Sequence, residues 1–135
     1  MYDENIISRM NDYLHKAAQA LASWLSVMLP KSGEDWWEEC VLSNLSYSQR
    51  ELIEKKGLSK LEELDLAALL RVANKSWYTM RGYAYLPTSE RECIRDMIGV
   101  RNNWAHVSAE LPGKDTIVSD IECLIRFFAQ MNRSG

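Results

Sequence analysis

Ile7, Met10, Leu14, Ala17, Leu21, Trp24 and Met28 recur at alternating steps of three and four along the start of the chain. That spacing returns an apolar side chain to one face at every turn, so it predicts one long amphipathic helix. Pro30 closes it, because proline has no N–H to donate and its ring clashes with a preceding turn. "PKSGEDWW" reads as a loop leading into a second helical piece from about Trp36. Ser48 to Glu51 and Ser59 to Glu62 have the spacing of capping boxes, and Gly57 between them is a natural stop. Leu66, Leu69, Leu70, Ala73, Trp77 and Met80 mark a further helix that ends near Gly82. Pro87 interrupts the chain, and Ser89 with Glu92 has the spacing of a third capping box, opening a helix that runs to His106. After Pro112 and Gly113, the positions Ile117, Ile121, Leu124, Phe128 and Met131 outline a last helix. No segment alternates in the manner of a strand, and no repeat or low-complexity tract is visible. The pattern predicts an all-α bundle of about five helices, one domain over residues 1–135.

The helix that contains "GVRNNWAH" departs from a plain amphipathic pattern. At about 100° per residue, Cys93, Ile94, Met97, Ile98, Val100, Trp104 and Ala105 fall in one apolar arc. Arg91, Arg95, Gly99, Asn102 and His106 form a polar stripe on the opposite side, at steps of three and four. Gly99 in that stripe leaves room for close approach of a backbone or a ligand. Arg101 alone projects into the apolar arc, where an unpaired guanidinium is costly. Either a carboxylate from another helix pairs with it, or that face meets a partner or a phosphate. Taken by itself, the stripe reads most simply as a solvated face, and His106 as a cation suited to a helix end. Trp77, Tyr78, Tyr83, Tyr85 and Trp104 read most simply as core and rim packing, and His15 as a surface residue of the first helix.

Composition narrows the chemistry. The formal net charge of −3 argues against a general nucleic-acid coat, which needs an excess of Lys and Arg, but leaves room for a local basic site. Cys40, Cys93 and Cys123 are odd in number and form no C-x-x-C pair, and the chain has only two histidines. No zinc or magnesium ligand cluster is visible, so no cofactor is expected. Free thiols suit a reducing cytoplasm. "MYDENIIS" is acidic where a signal peptide is basic, and the apolar run from Leu21 to Leu29 is too short to span a bilayer; no membrane role is expected.

"RNNWAH" matches the R-x4-6-H signature of the HEPN superfamily (higher eukaryotes and prokaryotes nucleotide-binding domains), which are compact helical bundles. The wider string "LLRVANKSWYTM … RECIRDMIGVRNNWAH" resembles the branch found fused to helicase-like ATPases and to a PIN-type RNA-surveillance nuclease. The resemblance covers roughly residues 36 to 131 by pattern, and leaves open that the chain is the N-terminal domain of a longer protein. It implies a metal-independent endoribonuclease, used in phage defence or RNA turnover, with RNA as its partner. His106 would take the proton from a ribose 2′-hydroxyl, Arg101 would clamp the phosphate, and Asn102 would orient. Imidazole suits that work because its pKa lies near neutrality, and guanidinium because its planar fork matches a phosphate. Arg91 and Arg95 would guide the RNA. The alternative is a non-catalytic module that dimerises, or senses RNA or nucleotide for a larger ATPase or nuclease. One departure is Ser108: HEPN toxins paired with nucleotidyltransferase antitoxins carry a tyrosine there, so that modification is out of reach. On an ideal helix Arg101 and His106 diverge by about 140°. A two-fold homodimer that packs these helices together is the expected way to aim both at one phosphate.

Overall fold

The computed structural model describes residues 2–105 and 111–134, all of whose regular elements are helical. The first helix, α1, covers Tyr2–Met28 and is followed by a 3-10 turn at Leu29–Ser32, where Pro30 was expected to stop it. Its seam packs as the spacing predicts: Met10, Ala17, Leu21, Trp24 and Met28 are buried, and Ile7 and Leu14 half-buried. The piece expected from Trp36 is irregular, a single π turn over Trp37–Val41 and a 3-10 turn over Leu42–Asn44.

Helix α2, Tyr47–Lys56, opens one cap earlier than the sequence suggests. Ser46, not Ser48, is its N-cap: the Ser46 hydroxyl accepts from the Gln49 N–H at 3.2 Å, and the Gln49 side chain accepts from the Ser46 N–H at 2.9 Å. Gly57 ends the helix as predicted, with a left-handed φ of 64°. The second expected box closes a 3-10 turn at Leu61–Glu63 instead of a helix. There Glu63, not Glu62, accepts from the Ser59 and Lys60 N–H groups at 3.1 and 3.0 Å.

The helix expected from Leu66 to Gly82 breaks at Ser76 into α3, Leu66–Lys75, and α4, Trp77–Arg81. Ser76 is buried and its hydroxyl donates to the Cys40 carbonyl at 3.1 Å, while Asn44 Nδ2 donates to the Ser76 oxygen at 3.0 Å. This tie to the Trp37–Asn44 turns sets the break. Helix α5 covers Thr88–Ala105 and α6 covers Lys114–Ser134. Ser89 lies inside the first turn of α5 and is not its start.

Helices α1, α3, α5 and α6 form a closed ring, each packed on two neighbours, with α1 against α3 and α6, and α5 against α3 and α6. Its centre is filled by Leu21, Leu25, Leu69, Trp77, Ile94, Met97 and Phe127. Helix α6 is turned from the face its pattern predicts. Cys123, Leu124, Phe127 and Met131 face the core, whereas Ile121 and Ile125 are 38% and 64% exposed. Apolar residues occupy more than half of this helix's circumference, so periodicity underdetermines the buried face, and the buried Asp120 on the same side fixes it.

Candidate functional site

The end of α5 is fastened by a residue the sequence reading missed. Asp120 of α6 is 5% exposed, and one carboxylate oxygen accepts from the Trp104 indole N–H at 2.8 Å. Asn103 Nδ2 lies 3.1 and 3.3 Å from the two carboxylate oxygens. A buried ionisable group is costly unless its lone pairs are met, and here neutral donors meet them. Two residues of "RNNWAH" are thereby spent on holding the helix, leaving their neighbours Arg101 and Asn102 to face outward. The available signal was the position of Asp120, one turn before Cys123 and Leu124 on the buried face.

Arg101 is half-buried and sits beside Ala67 in the first turn of α3. Alanine there contributes no bulk, so the guanidinium reaches the surface from a position the helical wheel puts in the apolar arc. Among the described residues no carboxylate lies within ion-pair distance of it; its Nη1 donates weakly to Asn102 Oδ1 at 3.4 Å. Asn102 is exposed. Of the two expectations for Arg101, the carboxylate pair from another helix is therefore not found among the described residues.

Two depressions meet at Arg101. The larger, of about 630 Å³, lies between α1, the Leu61–Asp65 segment and the end of α5. The smaller, of about 220 Å³, lies between α3 and α5 and is lined by Arg71, Lys75, Asn74 and Asn102. Arg101 and Ala67 line both. His15, read as a surface residue, is exposed but also borders the larger cleft, where its Nε2 lies 3.4 Å from Gln19 Nε2.

Arg91 and Arg95 are gathered by Asn74. Their Nε atoms donate to Asn74 Oδ1 at 3.2 and 3.4 Å, and Arg91 also donates to the Asn74 carbonyl at 3.3 Å. The Arg91 guanidinium lies 4.7 Å from the centre of the Tyr78 ring. Arg91 is thus tied to α3 through Asn74 and to α4 through Tyr78, while Arg95 stays exposed. With Arg71, Lys75 and Arg101 these side chains make a basic strip on an acidic chain. Among the described residues no group lies within 4 Å of where a Gly99 Cβ would stand, so this face of α5 is open there. His106, the proposed base, and Ser108 lie outside the described residues.

The three cysteines are free and buried. Burial first, and then the neighbouring Cys93, pushes the Cys123 thiol up to about 11, and burial also raises that of Cys93. Both therefore stay protonated near neutrality and are poor nucleophiles. No helix among the described residues is long and apolar enough to cross a membrane.

A family model described as Swt1-like HEPN matches residues 11–127, most of the chain and all of the cleft-forming elements. Comparison with curated proteins and with solved structures finds no match.

Proposed function

Since the chain belongs to the Swt1-like HEPN family, we propose that it is a metal-independent endoribonuclease domain that cleaves RNA through attack by a ribose 2′-hydroxyl. The observation that carries this reading is Arg101: a guanidinium at the junction of two depressions, with no carboxylate partner among the described residues. A cation left open in this way is suited to a phosphate, whose oxygens its fork engages in pairs. Asn102, the next residue and its hydrogen-bond partner, orients the fork. His106 acts as the base: it takes the 2′-hydroxyl proton as that oxygen attacks phosphorus, and the 5′-oxygen leaves and takes a proton from water. The products are a 2′,3′-cyclic phosphate and a 5′-hydroxyl. Arg95 guides the strand, and Arg91 does so only partly, because Asn74 and Tyr78 already hold it.

The working unit of this proposal is a homodimer that brings Arg101 of one copy to His106 of the other. The open Gly99 face on α5 and the exposed apolar stripe of Val118, Ile121 and Ile125 on α6 support an assembly of copies. The same stripe favours the second reading, a non-catalytic module that dimerises or senses RNA for an attached helicase-like ATPase or nuclease. In either case the setting is the cytoplasm, in phage defence or RNA turnover.

Replacing the ribose at the cleaved linkage by 2′-deoxyribose decides between the readings. Cleavage should stop while binding is retained, and wild-type product should carry the cyclic phosphate. Continued cleavage of the deoxy substrate would refute the role of His106, and no cleavage of any RNA by the wild type would favour the non-catalytic module.

A further inference from the structure

The two depressions at Arg101 differ in charge and size. The smaller groove offers Arg71, Lys75 and Arg101 with amide side chains and no carboxylate among its lining. At about 220 Å³ it is too small for a whole nucleotide but fits backbone phosphates. The larger cleft, at about 630 Å³, falls in the range of sites that enclose a small organic ligand. Its far wall carries Glu62 and Asp65, which repel phosphate, and its α1 wall carries the amides of Asn11 and Gln19. Only its Arg101 end favours an anion.

Building on the nuclease reading, we propose that the larger cleft is a nucleobase subsite that selects guanine, with the adjoining phosphate on Arg101 and the strand continuing along the smaller groove. An ionised carboxylate only accepts hydrogen bonds. Guanine alone among the four bases presents two adjacent donors, N1–H and the N2 amino group, on its Watson–Crick edge. Adenine and cytosine set a bare ring nitrogen against the carboxylate, and uracil flanks its one N–H with two carbonyls. The wrong base therefore sets an acceptor against the carboxylate and forfeits the paired hydrogen bonds that guanine makes. Glu62 is the carboxylate suited to this task. It is exposed, and its only hydrogen bond among the described residues is a long one, 3.5 Å, from Ser26. Asp65 is already engaged in capping α3 through the Ala68 N–H at 2.9 Å. The Gln19 amide, whose Nε2 lies 3.4 Å from His15 Nε2, supplies the donor for guanine O6.

The test is calorimetric binding of 3′-GMP, 3′-AMP, 3′-CMP and 3′-UMP to the full chain. The expected result is that 3′-GMP binds at least about tenfold tighter than the other three, the discrimination of one bidentate pair. Glu62→Gln should bring 3′-GMP down to the level of the others, with an unchanged circular dichroism spectrum because Glu62 is exposed. Gln19→Ala should weaken 3′-GMP a few-fold. Four equal affinities, no binding of 3′-GMP at millimolar concentration, or a preference that survives Glu62→Gln would overturn the proposal. Binding does not require cleavage, so the two readings fail separately. Guanine preference in a protein that cuts no RNA keeps the subsite and removes the nuclease, and cleavage without base preference does the reverse.

Discussion

Arg101 and Asp120 have opposite duties one helix apart. Arg101 is half-buried with no carboxylate partner among the described residues, so its replacement should affect chemistry more than stability. Arg101→Ala is expected to lower cleavage by about 10²- to 10³-fold, the loss typical of removing one donor to a developing anion. Arg101→Lys should recover little of it, because an ammonium lacks the planar fork; single-turnover assays on a fixed RNA check both. Asp120 instead holds the helix end. Asp120→Ala leaves the Trp104 N–H and the Asn103 amide without their acceptor, and should cost roughly 2–3 kcal/mol in denaturant unfolding. Asp120→Asn should cost less, since its carbonyl still accepts from Trp104 and the Asn103 amide can turn its own oxygen toward the new NH2 group. An equal loss for the two variants would mean that the charge, not the hydrogen bonding, matters there.

Caps and helix faces decide how the elements behave. The sequence spacing points to Ser48, yet the bonds run between Ser46 and Gln49. Ser46→Ala should therefore destabilise by about 1 kcal/mol, and Ser48→Ala should stay within about 0.5 kcal/mol. Urea titrations of both variants test the register of α2 directly. On the face where α5 meets α6, the Cys123 thiol titrates near 11 in the folded chain instead of its usual value near 9. A raised folded pKa means that the unfolded thiol ionises first. Its contribution to stability is thus present below about pH 9 and lost as pH rises through about 11. Unfolding midpoints measured at about pH 8 and about pH 10.5 should fall between the two, and Cys123→Ala should shrink that fall.

At the scale of the molecule, the ring of α1, α3, α5 and α6 presents a cleft beside α1 and leaves two open features, the Gly99 face and the α6 stripe, on which the proposed dimer depends. Light scattering of the pure chain at tens of micromolar should give the mass of a dimer, and a monomer would count strongly against a site shared between copies. Cleavage should persist in EDTA, since the proposed steps use only imidazole, guanidinium and the RNA's own hydroxyl. Loss of cleavage in EDTA, restored by a divalent cation, would replace this mechanism.

Residue order alone determined a good deal here. The α1 seam, the stop at Gly57, the all-helical class and the "RNNWAH" string follow from spacing along one chain segment, and spacing is a local property. The same local logic separated Arg101 from its polar neighbours in α5. Other features depend on contacts between distant segments. Ser76 breaks a helix because the Cys40 carbonyl lies across from it. Helix α6 shows Ile125 to solvent because Asp120 meets Trp104 and Asn103. Arg101 opens onto two depressions because the first turn of α3 sets Ala67, not a larger side chain, beside it. Each of these depends on which groups tertiary packing sets within a few ångströms of one another. A one-dimensional pattern carries hydrophobic period and cap chemistry, but not the partner that a buried polar group finds across the bundle.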